Sequence, residues 1–372
     1  MSKYKSIIDW ITENIDSGTL RPGDKLPSEK ELCGMFDTSR QTIRHALSQL
    51  TDEGLLRSIR GSGTYVSEQR SDDSNKNVIV VVTTYVDDYI FPSTIKGIEK
   101  ILVRKGYCMQ VSFTDNTIVR EREILLDILS KPKIAGVIME PVKSALPNPN
   151  LDLYRKILDK GIEVLFINSF YPELDVPHVS LNDEGCAYKA VKQLINLGHQ
   201  NIACVLKLDD GQGRERYRGY LRAITESGSS FSYDYVNWID TVDIKNGRKA
   251  LTRIFERITK CTAVFCYNDR VAEMVIELLM ERGISVPGDI SVIGMDDSDI
   301  ARRGVGGLKI SSIAHPKEQL GEKAARNMIR ILHKSKLEFN ATYEFEGDVI
   351  IRDSVSECNS KKKVFEINKE AI

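Results

Sequence analysis

Between Ser67 and Asn77 the chain reads Ser-Glu-Gln-Arg-Ser-Asp-Asp-Ser-Asn-Lys-Asn, without one apolar side chain. Such a run has nothing to bury against the entropy of ordering it, so no core continues through it. The chain must therefore fold in two parts. The reading places a small first domain at 1–68, a linker at 69–77, a large second domain at 78–355 and a polar tail at 356–372. A chain of 372 residues with 41% hydrophobic side chains is long and apolar enough for this.

In the first part, Ile7, Ile11 and Ile15 recur at helical spacing over residues 3–17. Ser28 with Glu31, and Thr38 with Gln41, have the spacing of capping boxes that open two further short helices. In the later one Ile43, Leu47 and Leu50 share a stripe, while Arg40, Gln41, Arg44 and His45 fall opposite. Leu55–Ile59 and Thr64–Val66 alternate around Arg60-Gly61-Ser62-Gly63, a hairpin whose glycines permit positive φ at its tip. Helix, turn, helix and basic hairpin describe an α+β winged helix-turn-helix. Its exposed arginines, one turn apart, suit a DNA major groove. Residues 1–70 hold ten Lys/Arg and ten Asp/Glu, so a DNA surface here must be a local cluster.

The strings Leu20-Arg21-Pro22-Gly23-Asp24-Lys25-Leu26-Pro27-Ser28-Glu29, Ser39-Arg40-Gln41-Thr42-Ile43-Arg44 and Gly61-Ser62-Gly63-Thr64-Tyr65-Val66 resemble the GntR family of bacterial regulators. The resemblance covers nearly all of residues 1–68 and implies double-stranded operator DNA as partner. It puts Lys30, Ser39, Arg40, Gln41, Thr42, Arg44 and Arg60 at the interface, with Gly61 at the wing tip. Ser39 and Thr42 suit phosphate contacts. Arg40 and Arg44 suit guanine edges or phosphates. Gln41 reads adenine only if it is not closing the box with Thr38. Lys3, at the start of the first helix, is either solvated or a phosphate contact.

From Val78 onward, short runs rich in β-branched residues alternate with helical stretches. The first such series ends near Ile167 and a second runs from about Glu184 to Met295. Within the second, Ile244–Ile258 reads as one helix. Repeated β-α units imply parallel sheets covered on both faces, here in two lobes. Ligands of such folds sit at the carboxyl ends of the strands. Asn268 and Asp296 follow the strands Ala263–Cys266 and Ile290–Met295 and would project into that cleft; Asp296 could instead cap a following helix.

Asn268-Asp269 followed by Val286-Pro287-Gly288-Asp289-Ile290-Ser291-Val292-Ile293-Gly294-Met295-Asp296-Asp297, with Leu197-Gly198-His199 and Arg216…Gly219-Tyr220, resembles the effector domain of the LacI/GalR family. That resemblance implies a two-lobed α/β, periplasmic-binding-protein-like sensor with Arg216, Asn268 and Asp296 on a sugar. Asn168 sits where the family often has an aspartate. Tyr85 falls at a ligand-facing strand end, where its ring could stack on a sugar. Glu140 and His315 complete the expected effector set. His199 reads as a structural helix-end residue. A GntR-type head on a LacI-type body is similar to the arabinose-repressor family. It implies a homodimeric repressor released by a small sugar, L-arabinose. A sugar-responsive activator, a sugar-binding protein and a sugar-processing enzyme remain the alternatives.

No catalytic triad, P-loop or metal-ligand spacing stands out, so neither enzyme nor cofactor is expected. The seven cysteines form no C-x-x-C pair and fit buried free thiols in a reducing compartment. The longest apolar run, Val78–Val82, is far too short to span a bilayer. A cytoplasmic protein with no membrane partner is the expectation.

Overall fold

The computed structural model describes residues 3–52, 55–59, 61–67, 77–85, 89–228, 231–333 and 339–358. Arg60, most of the linker and the tail from 359 onward lie outside the described residues.

The head consists of α1 (Lys3–Asp16), α2 (Glu29–Phe36), α3 (Arg40–Asp52) and the antiparallel strands β1 (Leu56–Ile59) and β2 (Gly63–Val66). Ser28 caps α2 through a complete capping box with Glu31. The expected second box does not form. Helix α3 starts one residue later than Thr38 requires, and Ser39 supplies the cap, its Oγ accepting from Thr42 N at 3.2 Å. Ile7, Ile8, Ile11, Leu32, Ile43, Leu50 and Leu56 fill one small core.

The body begins with β3 (Val78–Thr83), α4 (Phe91–Arg104), β4 (Cys108–Phe113), α5 (Ile118–Ser130), β5 (Ile134–Met139), α6 (Leu151–Asp159), β6 (Glu163–Ile167) and β7 (His178–Leu181). The chain then crosses to a second lobe. This holds α7 (Asp183–Asn196), β8 (Ile202–Lys207), α8 (Gly211–Glu226), β9 (Val236–Ile239), α9 (Thr241–Asn246), α10 (Arg248–Leu251), α11 (Phe255–Ile258), β10 (Ala263–Cys266), α12 (Asp269–Glu281), β11 (Ser291–Ile293), α13 (Asp299–Arg303) and β12 (Ser312–Ile313). A second crossing returns to the first lobe for α14 (Lys317–Leu332) and β13 (Tyr343–Phe345). A third ends on β14 (Val349–Ile350), antiparallel to β12.

Strand order is β13-β7-β6-β5-β3-β4 in the first lobe and β11-β10-β8-β9 in the second, parallel throughout. The first-lobe sheet thus borrows its edge strand from near the chain's end. Helices α4 and α14 cross at backbone contact: a Cβ on Gly97 would lie 2.1 Å from Glu318 O, and one on Gly321 2.1 Å from Thr94 O. The single helix expected over 244–258 is instead α9, α10 and α11, interrupted at Gly247 with φ 68°. Four of the seven cysteines are buried; Cys108 is exposed, because β4 is an edge strand.

Candidate functional site

On α3 the aliphatic stripe is sealed, with Ile43 and Leu50 at 0% exposure, and Arg40, Gln41, Arg44, His45 and Ser48 point outward. Because Ser39 caps the helix, Gln41 closes no box and its amide projects from the exposed face. Thr42 Oγ1 lies 2.9 Å from Ser39 Oγ, which ties these two hydroxyls to each other. Arg44 Nε donates to both oxygens of Glu29, at 2.9 and 3.0 Å. Lys3 Nζ donates to the carboxylate (2.9 Å) and the carbonyl of Asp37, and this lysine holds the Asp37 carboxyl below its ordinary range. Lys30 is exposed at the start of α2, and Gly61 is exposed at the wing tip with φ 79°. Sequence reasoning missed Tyr4, whose ring lies 4.9 Å from that of His45 at a 30° tilt and joins Gln41, Thr42 and Arg44 in lining one shallow groove. Only a helix-to-helix contact reveals it.

The body encloses a cavity of about 310 Å³ between its lobes. Tyr85, Glu140, Arg216, Asn268 and Asp296 all line it. Two residues of the expected set do not. Asn168 lies behind Glu140, to which its Nδ2 donates at 2.9 Å, so it orients that carboxylate rather than facing the cavity. His315 is buried at the second crossing, outside the lining, with neither ring nitrogen hydrogen-bonded among the described residues.

Arg216, on α8, is 1% exposed. Its Nε donates to Asp183 Oδ1 at 2.8 Å and a terminal nitrogen to Asp296 Oδ1 at 3.4 Å. The other terminal nitrogen donates to Tyr267 O, and the guanidinium stacks 4.6 Å over the Tyr267 ring. Burial opposes the charge, but Asp183 and Asp296 overcome it and keep the guanidinium protonated. Arg216 is thus a buried ion-paired residue rather than a surface one.

Asp296 caps no helix; its second oxygen accepts from Tyr89 OH at 2.7 Å. Asn268 does cap one, its Oδ1 accepting from Val271 N at 3.0 Å, which leaves its Nδ2 for the cavity. Glu140 accepts from Thr84 N (2.9 Å) and Thr84 Oγ1 (2.6 Å); burial nevertheless raises its carboxyl. His199 is structural, its ring nitrogens 2.9 Å from Thr262 Oγ1 and 3.0 Å from Ser356 O.

Sequence reasoning also missed Lys207, which lines the cavity at 6% exposure, 2.6 Å from Asp210 and 3.7 Å from Asp209. Burial disfavours its charge, yet the two carboxylates hold it raised. It ends β8, where the carboxyl-end rule would have pointed. The buried charges of the cavity are thus largely paired within the protein. Directional donors and acceptors stand beside the rings of Tyr85, Phe91 and Tyr267, an arrangement suited to a polar ligand with one apolar face. Among the described residues no group of three or more His, Cys, Asp or Glu is placed to hold a metal, and no helix is long and apolar enough to cross a membrane.

Residues 3–66 match the model of the bacterial regulatory proteins of the gntR family, and residues 191–355 that of the periplasmic binding protein-like domain. The arabinose metabolism transcriptional repressor of Geobacillus stearothermophilus is 35% identical over 365 residues, 96% of this chain and 98% of that protein. The protein of the same name from Halalkalibacterium halodurans is 33% identical over 98% of this chain and 99% of its own. Among solved structures, the transcription regulator CcpA of Lactococcus lactis superposes with a TM-score of 0.68 at 22% identity, covering 76% of this chain and all of that one. The regulator CelR in complex with cellobiose gives 0.67 at 20% identity, over 85% of this chain and 90% of its own. At these identities the structural likeness speaks for the fold.

Proposed function

The chain belongs to the family of the arabinose metabolism transcriptional repressors, and from that premise we propose that L-arabinose binds between its lobes and releases it, as a homodimer, from a palindromic operator. The observation that carries the reading is the convergence of Arg216, Asn268, Asp296 and Glu140, from strand ends and helix starts of both lobes, on one inter-lobe cavity. A guanidinium reaches two vicinal hydroxyls with its fixed fork, and carboxylates accept from the remainder. Tyr85 and Phe91 supply apolar surface for the sugar's C–H face.

In this reading the head, 1–68, is tethered through 69–77 to the sensor, 78–355, with 356–372 as a tail. Arg40, Gln41 and Arg44 enter the major groove. Lys3, Lys30, Ser39 and Thr42 contact phosphates, and the wing around Arg60 and Gly61 reaches the adjacent groove. Lys3 and Arg44 must exchange Asp37 and Glu29 for DNA, so part of their contribution is offset by bonds they give up. The protein works in the cytoplasm and carries out no chemistry on the sugar. L-arabinose has to favour the form that does not fit the operator, since equal affinity for both would shift nothing.

The test is operator binding followed by fluorescence anisotropy during titration with L-arabinose, D-xylose and D-glucose. Selective release by L-arabinose is expected. Release by none of them, or turnover of the sugar, would overturn the reading.

A further inference from the structure

Tyr89 belongs to the first lobe by chain and to the second by contact. It lies on the turn before α4, yet its ring packs against the hydrophobic core of the second lobe. Its hydroxyl is 2.7 Å from Asp296 Oδ2 and 3.1 Å from Met295 O, and it accepts from Asp269 N at 3.1 Å. All three partners are second-lobe groups. The phenol has one proton, and the charged, nearer Asp296 oxygen is the stronger acceptor. Burial and the two flanking carboxylates keep that proton on the phenol. Tyr89 also has φ 64°, a left-handed backbone that an aromatic residue adopts only when its surroundings hold it there.

The other oxygen of Asp296 faces Arg216, and Tyr89 itself lines the cavity. Two backbone amides also cross between the lobes: Ala145 N donates to Asp209 O at 3.3 Å, and Gly211 N to Ser144 Oγ at 2.9 Å. We propose that Tyr89 is a positioning residue that latches the lobes together, its hydroxyl both holding the closed form and orienting Asp296 toward the effector. Opening the lobes breaks this bond and relaxes the backbone of Tyr89 in one movement. The aiming of Asp296 is therefore conditional on closure. Effector bound to the closed form gains a correctly turned carboxylate that the open form lacks. The link to effector rests on the function proposed above; the latch itself does not.

The substitution Tyr89→Phe keeps the ring and removes the hydroxyl. Its fold is checked by the melting midpoint of the full chain. Hydrogen exchange without sugar is then read at Ala145 and Gly211, whose amides bridge the lobes and are remote from Tyr89 in sequence. A latch predicts exchange there about 10- to 100-fold faster in the variant, the range expected for losing one hydrogen bond to a carboxylate. Faster exchange confined to the Asp269 amide, with Ala145 and Gly211 unchanged, would show a local structural role and overturn the latch.

Stopped-flow fluorescence with L-arabinose gives the second arm. Dissociation should accelerate by a similar factor with association nearly unchanged, and equal dissociation rates would overturn the coupling to effector. Failure of the wild-type chain to bind L-arabinose would instead count against the proposed effector, and the exchange result would still decide the latch.

Discussion

Lowering the pH should loosen the body through one side chain, His315. It is 6% exposed, and burial pushes its imidazole down to about 4, helped by the cations Lys317 and Arg216 and opposed by Asp296. In the unfolded chain the same ring titrates near 6.5. Between these values the unfolded state binds the proton and the folded state does not, so the stability this residue permits is full above about 6.5 and lost as pH falls toward 4. From pH 7 to pH 5, linkage gives a loss of about 2 kcal/mol for this one group.

The assay is urea unfolding of wild type and His315→Leu at both values. Neither ring nitrogen has a hydrogen-bond partner among the described residues, so leucine strands no partner. Other titrating groups cancel in the difference between the two proteins. The variant should gain about 2 kcal/mol on wild type between pH 7 and pH 5. A difference that stays constant with pH refutes the argument that His315 is buried uncharged.

Further outcomes follow from the two sites. Arg40→Ala should weaken operator binding by about 1–3 kcal/mol and flatten its salt dependence by about one phosphate if the contact is to the backbone, with L-arabinose binding unchanged by calorimetry. Arg216→Ala should cost about 3–5 kcal/mol of stability, because Asp183 and Asp296 stay buried without their cation, and should leave the operator bound in the presence of L-arabinose; thermal melting and anisotropy read the two effects. Glu121 is fully buried and accepts from Asn148 and Asn150 at 2.8 Å and from Tyr154 and Tyr171 at 2.7 Å. Glu121→Ala strands one amide hydrogen on each of Asn148 and Asn150, leaves Tyr154 to Met139 Sδ and Tyr171 to Val142 O, and should lower the urea midpoint by the equivalent of about 3 kcal/mol.

What the sequence determined by itself was local or periodic. The stripe Ile43-Leu47-Leu50 fixed the buried face of α3 and so the outward face of Arg40, Gln41 and Arg44. Alternating β and α segments fixed parallel sheets in two lobes, polar residues at strand ends pointed to Asn268 and Asp296, and the family resemblance pointed to Arg216. Cap choice already escaped it: Thr38 and Ser39 both suit the position, and in the fold it is Ser39 that accepts from Thr42 N. Tertiary structure decided the rest. Asp183, Arg216 and Asp296 span more than a hundred residues yet share one hydrogen-bonded cluster, because the strand order β11-β10-β8-β9 sets the end of β11 and the starts of α7 and α8 at one edge of the second lobe. The second crossing leaves His315 outside the cavity lining, the pairing of β5 with β6 turns Asn168 toward Glu140, and the turn before α4 carries Tyr89 against the opposite lobe. Pattern along a chain reports which face is buried. It carries no record of which partner, tens of residues away, a buried polar group must find, and here those partners separate a ligand from a support.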